Sequence, residues 1–545
     1  MLHGHRVPAM TTAAGPAAEI ANAYVSEGPA VHLGAVVLDG QAQPEAQVQL
    51  PLLMMNRHGL IAGATGTGKT KTLQLIAEQL SAQGVPVLLA DVKGDLSGIA
   101  APGASSDRTI KRAQEVGATD WAPAGSPVEF LTLGPDGKGA QLRATITSFG
   151  PVLLSKVLGL NDVQSSSLGL IFHWADKAGL PLLDLKDLRA VITYLTSDTG
   201  ESELASLGGL SKATAGVILR ELIGFADQGA EDFFGEPEFD TADLLRTTPD
   251  GNGVLSVLEL SGVQDKPALF STFLMWLLAD LHHDLPEVGD LDKPKLVFFF
   301  DEAHLLFSDA SKDFLQSVAQ TVRLIRSKGV GVFFVTQVPT DVPPEVLAQL
   351  GNRVQHALRV FTPADAKSLK STVSTFPASK VYELSELLPS LGIGEAVVTV
   401  LSETGAPTPV AWTRLRPPAS LMAQLDPAEQ SKMVQASPLA GKYGEVVDRE
   451  SAYEQLLAKV AQPASAAPAE QPAAQQPAAQ QPAAQQPAGA PPAQSSAEDS
   501  GPDLGDKITE VLGSSAFKAF SRNVGSTLGR EITRSLFGTA RRRRR

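Results

Sequence analysis

The chain has 545 residues, 43% of them hydrophobic, enough to bury a large core and to fold as roughly two to four domains. A net charge of −14 excludes a broadly basic surface, so nucleic-acid contact is confined to a local basic patch or pore. The absence of cysteine excludes disulfides, thiolate metal sites and cysteine nucleophiles, and fits a cytoplasmic protein.

Residues 1–50 read as a lead-in with short strands: 31–38 as a strand, then a polar Gln- and Pro-containing turn region at 40–49. No basic segment followed by an apolar core marks a signal peptide, and Met10 is a second candidate start beside Met1. The core begins near Pro51. His58-Gly59-Leu60-Ile61-Ala62 is a short apolar strand, and Gly63-Ala64-Thr65-Gly66-Thr67-Gly68-Lys69-Thr70 is a glycine-rich loop. Leu73, Ile76, Ala77 and Leu80 mark the helix that follows.

That order is a complete phosphate-binding loop. Glycines at 63, 66 and 68 let the backbone curl until its N–H groups face phosphate oxygens, and the new helix adds its positive end. Lys69 is placed to reach the β and γ phosphates of ATP, and the Thr70 hydroxyl to hold Mg²⁺. The competing reading is a chance glycine-rich turn.

Residues 85–91 read as a second buried strand, ending in Asp91-Val92-Lys93-Gly94-Asp95, where open α/β sheets place ligands. The first core part is therefore 51–103. From 104 to 252 the pattern changes to a mainly helical insertion, with helices expected around 152–158, 165–177, 185–195 and 213–225. The core resumes over 253–416 with a strand at 254–260, a helix at 267–285 and the strand Leu296-Val297-Phe298-Phe299-Phe300, closed by Asp301-Glu302. An acid at the end of a neighbouring buried strand holds Mg²⁺ directly or through water, and a second acid polarises the attacking water. A helix start that is merely acidic is the alternative. A helix at 311–327 and a strand at 330–336 follow. Gln337 at that strand's end is placed to sense the γ phosphate or orient water, or else is a turn residue beside Pro339.

Residues 417–460 read as an extension of the core, and 461–500 as a disordered linker of Ala, Pro, Gln and Ser. Beyond it, Leu504, Ile508, Val511, Phe517, Phe520, Leu528, Ile532 and Leu536 recur at near-helical spacing, giving an amphipathic helix over 501–545 tipped by Arg541 to Arg545. The tip suits a nucleic acid, an anionic membrane surface or a protein partner, or is a solvated tail.

The phosphate loop, Asp91-Val92-Lys93-Gly94-Asp95, Phe299-Phe300-Asp301-Glu302-Ala303-His304 and Val335-Thr336-Gln337 come in the order of the HerA/FtsK superfamily of ring-forming ATPases. Asn56-Arg57-His58-Gly59 and the stretch from Arg323 to Val332 resemble its bacterial YjgR-type HerA-like helicase branch. The resemblance implies a RecA-like core, Mg-ATP hydrolysis and a homo-hexamer acting on DNA of unspecified strand type. By that likeness Gly63, Ala64, Thr65, Gly66, Thr67, Gly68, Lys69 and Thr70 bind nucleotide. Thr70 and Asp301 hold the metal, and Glu302 activates water with Asp95 as competitor. Arg353 resembles the family's arginine before its last core strand, the candidate cation for a neighbouring subunit's site, with Arg323 and Arg326 as runners-up. Two departures stand out. Archaeal relatives carry an N-terminal β-barrel where about 50 residues precede this core, and many follow the strand glutamine with Arg-Pro where this chain has Gln337-Val338-Pro339. The alternative to a DNA translocase is an ATPase motor or switch whose client is a protein or a membrane surface.

Overall fold

A helix, α1 (Pro16–Asn22), leads into a two-stranded hairpin of β1 (Ala30–Leu38) and β2 (Gln41–Pro51). The computed structural model describes residues 15–461 except 136, 264, 265, 290 and 308–311, and 15–455 lie within one compact unit. The hairpin corrects the turn expected at 40–49. Its turn is only Asp39-Gly40, both at positive φ (51° and 76°), the two-residue geometry that matches strand twist. Ala46, Val48 and Leu50 alternate into the core, while the glutamines and Pro44 are tolerated because β2 is the edge of the sheet.

The phosphate-loop strand is β3 (Gly59–Ala62), followed by α2 (Lys69–Ala82) and β4 (Val87–Asp91). Helix α3 (Asp107–Glu115) starts at a capping box made by Ser106 and Thr109. Segment 104–252 is not wholly helical: β5 (Val128–Thr132) and β6 (Ala140–Gln141) extend the main sheet before the helices begin. Those helices are α4 (Ile146–Val157), α5 (Asp162–Ala178), α6 (Leu185–Leu195) and α7 (Lys212–Asp227), close to the expected four.

The core then returns with β7 (Leu255–Glu259), α8 (Pro267–Asp284), β8 (Leu296–Phe300), the short α9 (His304–Phe307), α10 (Lys312–Ile325) and β9 (Val330–Thr336). It closes with α11 (Pro344–Leu347), β10 (Asn352–Gln355), α12 (Pro363–Val373), α13 (Leu384–Ser390), β11 (Glu395–Thr399) and β12 (Ala411–Leu415). The helical insertion is seated on α8 by aromatic packing: Phe233 meets the fully buried Trp276 at 5.6 Å and Phe273 at 6.2 Å between ring centroids.

The twelve strands among the described residues form one sheet, in the order β2-β1-β12-β11-β10-β3-β9-β8-β4-β7-β5-β6. From β10 to β6 every pairing is parallel, and the four strands on the other side are antiparallel. The central parallel strands β3, β4, β8 and β9 are near-continuous, fully buried apolar runs because both faces are covered. This is the α/β, RecA-like phosphate-loop core expected from the sequence, with one refinement. The acid strand β8 is not next to β3, since β9 lies between them. The linker and C-terminal helix expected over 461–545 lie outside the described residues, apart from Ala461.

Candidate active site

The phosphate loop leaves β3 at Gly63, whose N–H donates to the carbonyls of Thr336 (3.2 Å) and Gln337 (3.1 Å) at the end of β9. Ala64 N–H donates to the Ala357 carbonyl (2.8 Å), and Gly394 N–H to the Thr67 carbonyl (3.1 Å). The loop is thus tied from outside by β9, β10 and the turn before β11. Its inner N–H groups at Gly66 and Gly68 have no internal acceptor among the described residues, which suits a phosphate cradle. Gly63 cannot be replaced: its φ is 153°, and a Cβ there would lie 2.4 Å from the Cβ of His356.

His356 is fully buried behind the loop, with Nε2 2.8 Å from the Thr72 hydroxyl. Burial, then the charge of Lys69, lowers its pKa to about 4, so it holds α2 as a neutral ring. Thr65 and Gly66 at the loop tip are exposed, Thr67 is buried with its hydroxyl donating to the Ala64 carbonyl (2.7 Å), and Thr70 is half-buried. Lys69 Nζ donates to the Ala64 carbonyl at 3.3 Å. Burial lowers the lysine's pKa, opposed by the carboxylates of Glu302 and Asp301.

Asp301 and Glu302 stand at the end of β8, where their charges act on that lysine through space. Asp301 is 1% exposed; one carboxylate oxygen accepts the Glu302 N–H (2.9 Å), and the other is buried with no hydrogen-bond partner among the described residues. Burial, then the Glu302 charge, raises its pKa to about 7. A buried, unsatisfied carboxylate oxygen facing a phosphate loop fits a Mg²⁺ that takes most of its ligands from phosphate and water. No cluster of three or more His, Asp or Glu able to hold a metal occurs among the described residues, so such a metal would depend on Thr70, Asp301 and the ligand itself.

Glu302 has φ 48°, an uncommon conformation for a side chain of its size, and it turns the chain sharply out of β8. Lys93, from the loop after β4, forms an ion pair with Glu302, and His304 Nδ1 lies 3.1 Å from its second oxygen. Burial raises the carboxyl pKa, but the Lys93 hydrogen bond and charge, with His304 and Lys69, leave it below the ordinary value. Glu302 is therefore an ionised carboxylate held by Lys93, a residue to which the sequence alone assigns no role.

Asp91 organises the loop that carries Lys93, accepting N–H groups from Gly94 (2.8 Å), Asp95 (3.2 Å) and Leu96 (2.9 Å). Its burial raises its pKa to about 6. Asp95 is half-buried, with one carboxylate oxygen unpartnered among the described residues, and its charge is felt by Asp301, Lys93 and Lys71. Gln337 reaches the loop by its carbonyl, while the residue itself is exposed. Asp341 fixes that strand end, accepting from the Thr336 hydroxyl (2.6 Å) and Val338 N–H (3.1 Å).

Arg353 is not brought to this chain's own phosphate loop. Its guanidinium donates to the carbonyls of Leu347 (3.5 Å), Leu350 (3.4 Å) and Thr375 (3.4 Å), toward the segment that enters β10. Arg323 is exposed on α10, and Arg326 is half-buried just after it.

The family model for the HerA-like helicase C-terminal region matches residues 37–545. The chain belongs to the HerA-like helicase C-terminal family. A probable helicase of Methanocaldococcus jannaschii is 30% identical over 154 residues, 26% of this chain and 28% of that protein. The DNA double-strand break repair helicase HerA of Saccharolobus solfataricus is 22% identical over 357 residues, 65% of this chain and 63% of that one. The matched region thus spans less than two thirds of either relative. Among solved structures, the bacterial conjugative coupling protein TrwB, unbound, aligns over 76% of this chain and 94% of its own at 16% identity and a TM-score of 0.48. No helix among the described residues is long and apolar enough to cross a membrane.

Proposed function

We propose that this HerA-family chain is a Mg²⁺-dependent ATPase motor that moves or remodels DNA as a ring of identical subunits, six by the family likeness. One observation carries the reading: Lys69, Asp301, Glu302 and Lys93 converge from β3, β8 and β4 on a phosphate loop with an open tip. Lys69 and the loop N–H groups hold the triphosphate, and Thr70 and Asp301 hold Mg²⁺, which when bound neutralises charge on the phosphates. Glu302 accepts the proton of the attacking water, and Lys93 keeps Glu302 ionised and in place. Asp95 is the alternative base, Gln337 the residue that reports the γ phosphate. A neighbouring subunit supplies the stabilising cation, from Arg353 or from exposed Arg323. The curated HerA relatives are helicases of DNA break repair, which supports DNA as the client.

Glu302→Gln retains the binding groups and removes the base, so it is expected to hold ATP while hydrolysis falls by about 10²-fold or more. In that state it should bind labelled duplex or single-stranded DNA, with affinity falling steeply as salt rises from counterion release. Full turnover by this variant would transfer the base to Asp95. Stable ATP binding with no DNA binding at low salt would favour the second reading, a protein or membrane-surface client, which the net charge of −14 favours.

A further inference from the structure

A carboxylate base works only within reach of the water that attacks the γ phosphate, and the base and the phosphate are both anions. Their approach is repulsive unless a cation stands between them. The corner of the site that holds Glu302 is already rich in acid: the charges of Asp301, Glu302 and Asp95 all act on Lys93. Lys69, the lysine of the phosphate loop, feels the charge of Lys93 together with those of Glu302 and Asp301. The two ammonium groups therefore share one field, on the side of the loop where the third phosphate meets the acids.

The surroundings of Lys93 suit a group that makes a second contact. Its side chain is 42% exposed where that of Glu302 is 6% exposed, so the ion pair has one buried end and one open end. An ammonium carries three donors, and among the described residues Lys93 uses one, on Glu302. His304 Nδ1 lies 3.1 Å from the second Glu302 oxygen, so the carboxylate is flanked from both sides. Two other cations are committed elsewhere: Lys71 Nζ donates to Gln74 on its own helix (3.3 Å), and Arg353 donates to backbone carbonyls. The backbone around Lys93 is pinned while its four-carbon stem is not. The Asp91 carbonyl accepts the Leu260 N–H (2.9 Å), and the Asp91 carboxylate takes the N–H groups of Gly94, Asp95 and Leu96.

We infer that Lys93 is a ligand of the γ phosphate as well as the partner of Glu302: one N–H stays on the carboxylate while another donates to a γ-phosphate oxygen, bridging base and substrate. The inference rests on the phosphate-loop reading above and adds a residue by which a single subunit tells ATP from ADP. ADP has no third phosphate, so it leaves Lys93 on Glu302 alone.

The test is calorimetric titration of the full chain with Mg-ADP and with the Mg complex of the non-hydrolysable β,γ-imido analogue of ATP. Wild type is compared with Lys93→Met, the double variant Lys93→Met with Glu302→Gln, and Lys69→Ala. Methionine keeps an unbranched stem and removes the charge, and the double variant also removes the buried carboxylate that the single change leaves unpaired. Wild type should prefer the analogue to ADP, and Lys93→Met should lose about tenfold or more for the analogue while ADP affinity stays within about twofold. The double variant should keep that loss, because the missing contact is to phosphate. Four results overturn the inference and leave the phosphate loop standing: no wild-type preference for the analogue, unchanged analogue affinity in Lys93→Met, equal losses for both nucleotides, or recovery of wild-type affinity in the double variant. Wild type binding neither nucleotide, or Lys69→Ala binding both as wild type does, overturns the phosphate-loop reading itself.

Discussion

Glu302 is held by a residue 209 positions away in the chain, Lys93. Burial alone would push the glutamate toward its neutral form, and the lysine reverses that. The sign gives a prediction. In Lys93→Ala the carboxyl pKa rises, the base stays protonated to higher pH, and the acidic limb of the kcat profile shifts upward. Measuring kcat from about pH 5 to 8 checks this, and an unmoved limb would separate Lys93 from the titrating base. The reason Lys93 was passed over is physical. Asp91-Val92-Lys93-Gly94-Asp95 is legible as a strand end, but which side chain crosses to β8 depends on the β4–β8 pairing, which no local pattern encodes. Lys69 and Thr70 were named from the loop motif and Asp301 from the end of an apolar strand, both of them local patterns. Arg353 was named by likeness alone, and its guanidinium lies against three carbonyls of its own chain.

At the scale of elements, sequence reading succeeds where periodicity is strong and fails where an element is short, polar or at an edge. β4, β8 and β9 are nearly unbroken apolar runs, and α5 to α7 have clear helical spacing, so all were foreseen to within a few residues, while α4 begins six residues before the expected 152. β2 was missed because an edge strand keeps glutamines and a proline, although Asp39-Gly40 is itself a hairpin signal. β5 and β6 were absorbed into the insertion because five and two residues between glycines carry little pattern. The hairpin reading is testable. A Cβ at Gly40 would meet nothing within 4 Å, so Gly40→Val is penalised only through its φ of 76°, by about 1–2 kcal/mol. Urea unfolding should show that loss with ATP binding intact; an unchanged midpoint would mean the turn does not hold the edge strand.

For the whole molecule, one sheet distributes the chemistry. Phosphate loop, acids and Lys93 come from parallel strands within four positions of one another, and Phe233 of the insertion packs on Trp276 of α8. The acids proposed for hydrolysis, Asp301 and Glu302, lie in one chain, whereas no arginine donates a hydrogen bond directly to its own phosphate loop among the described residues. That asymmetry is what a ring with sites between subunits requires. Composition had already confined any DNA contact to a small part of the surface, and no aromatic, basic stretch identifies that part from the sequence.

The most direct measurement is steady-state ATP hydrolysis by the full chain with Mg²⁺, alone and with duplex DNA, single-stranded DNA or RNA at low and moderate salt, with Lys69→Ala as the blank. The account predicts strong stimulation by DNA that weakens with salt and vanishes in the blank. A basal rate indifferent to every nucleic acid would contradict the DNA motor and turn the search to protein or membrane clients.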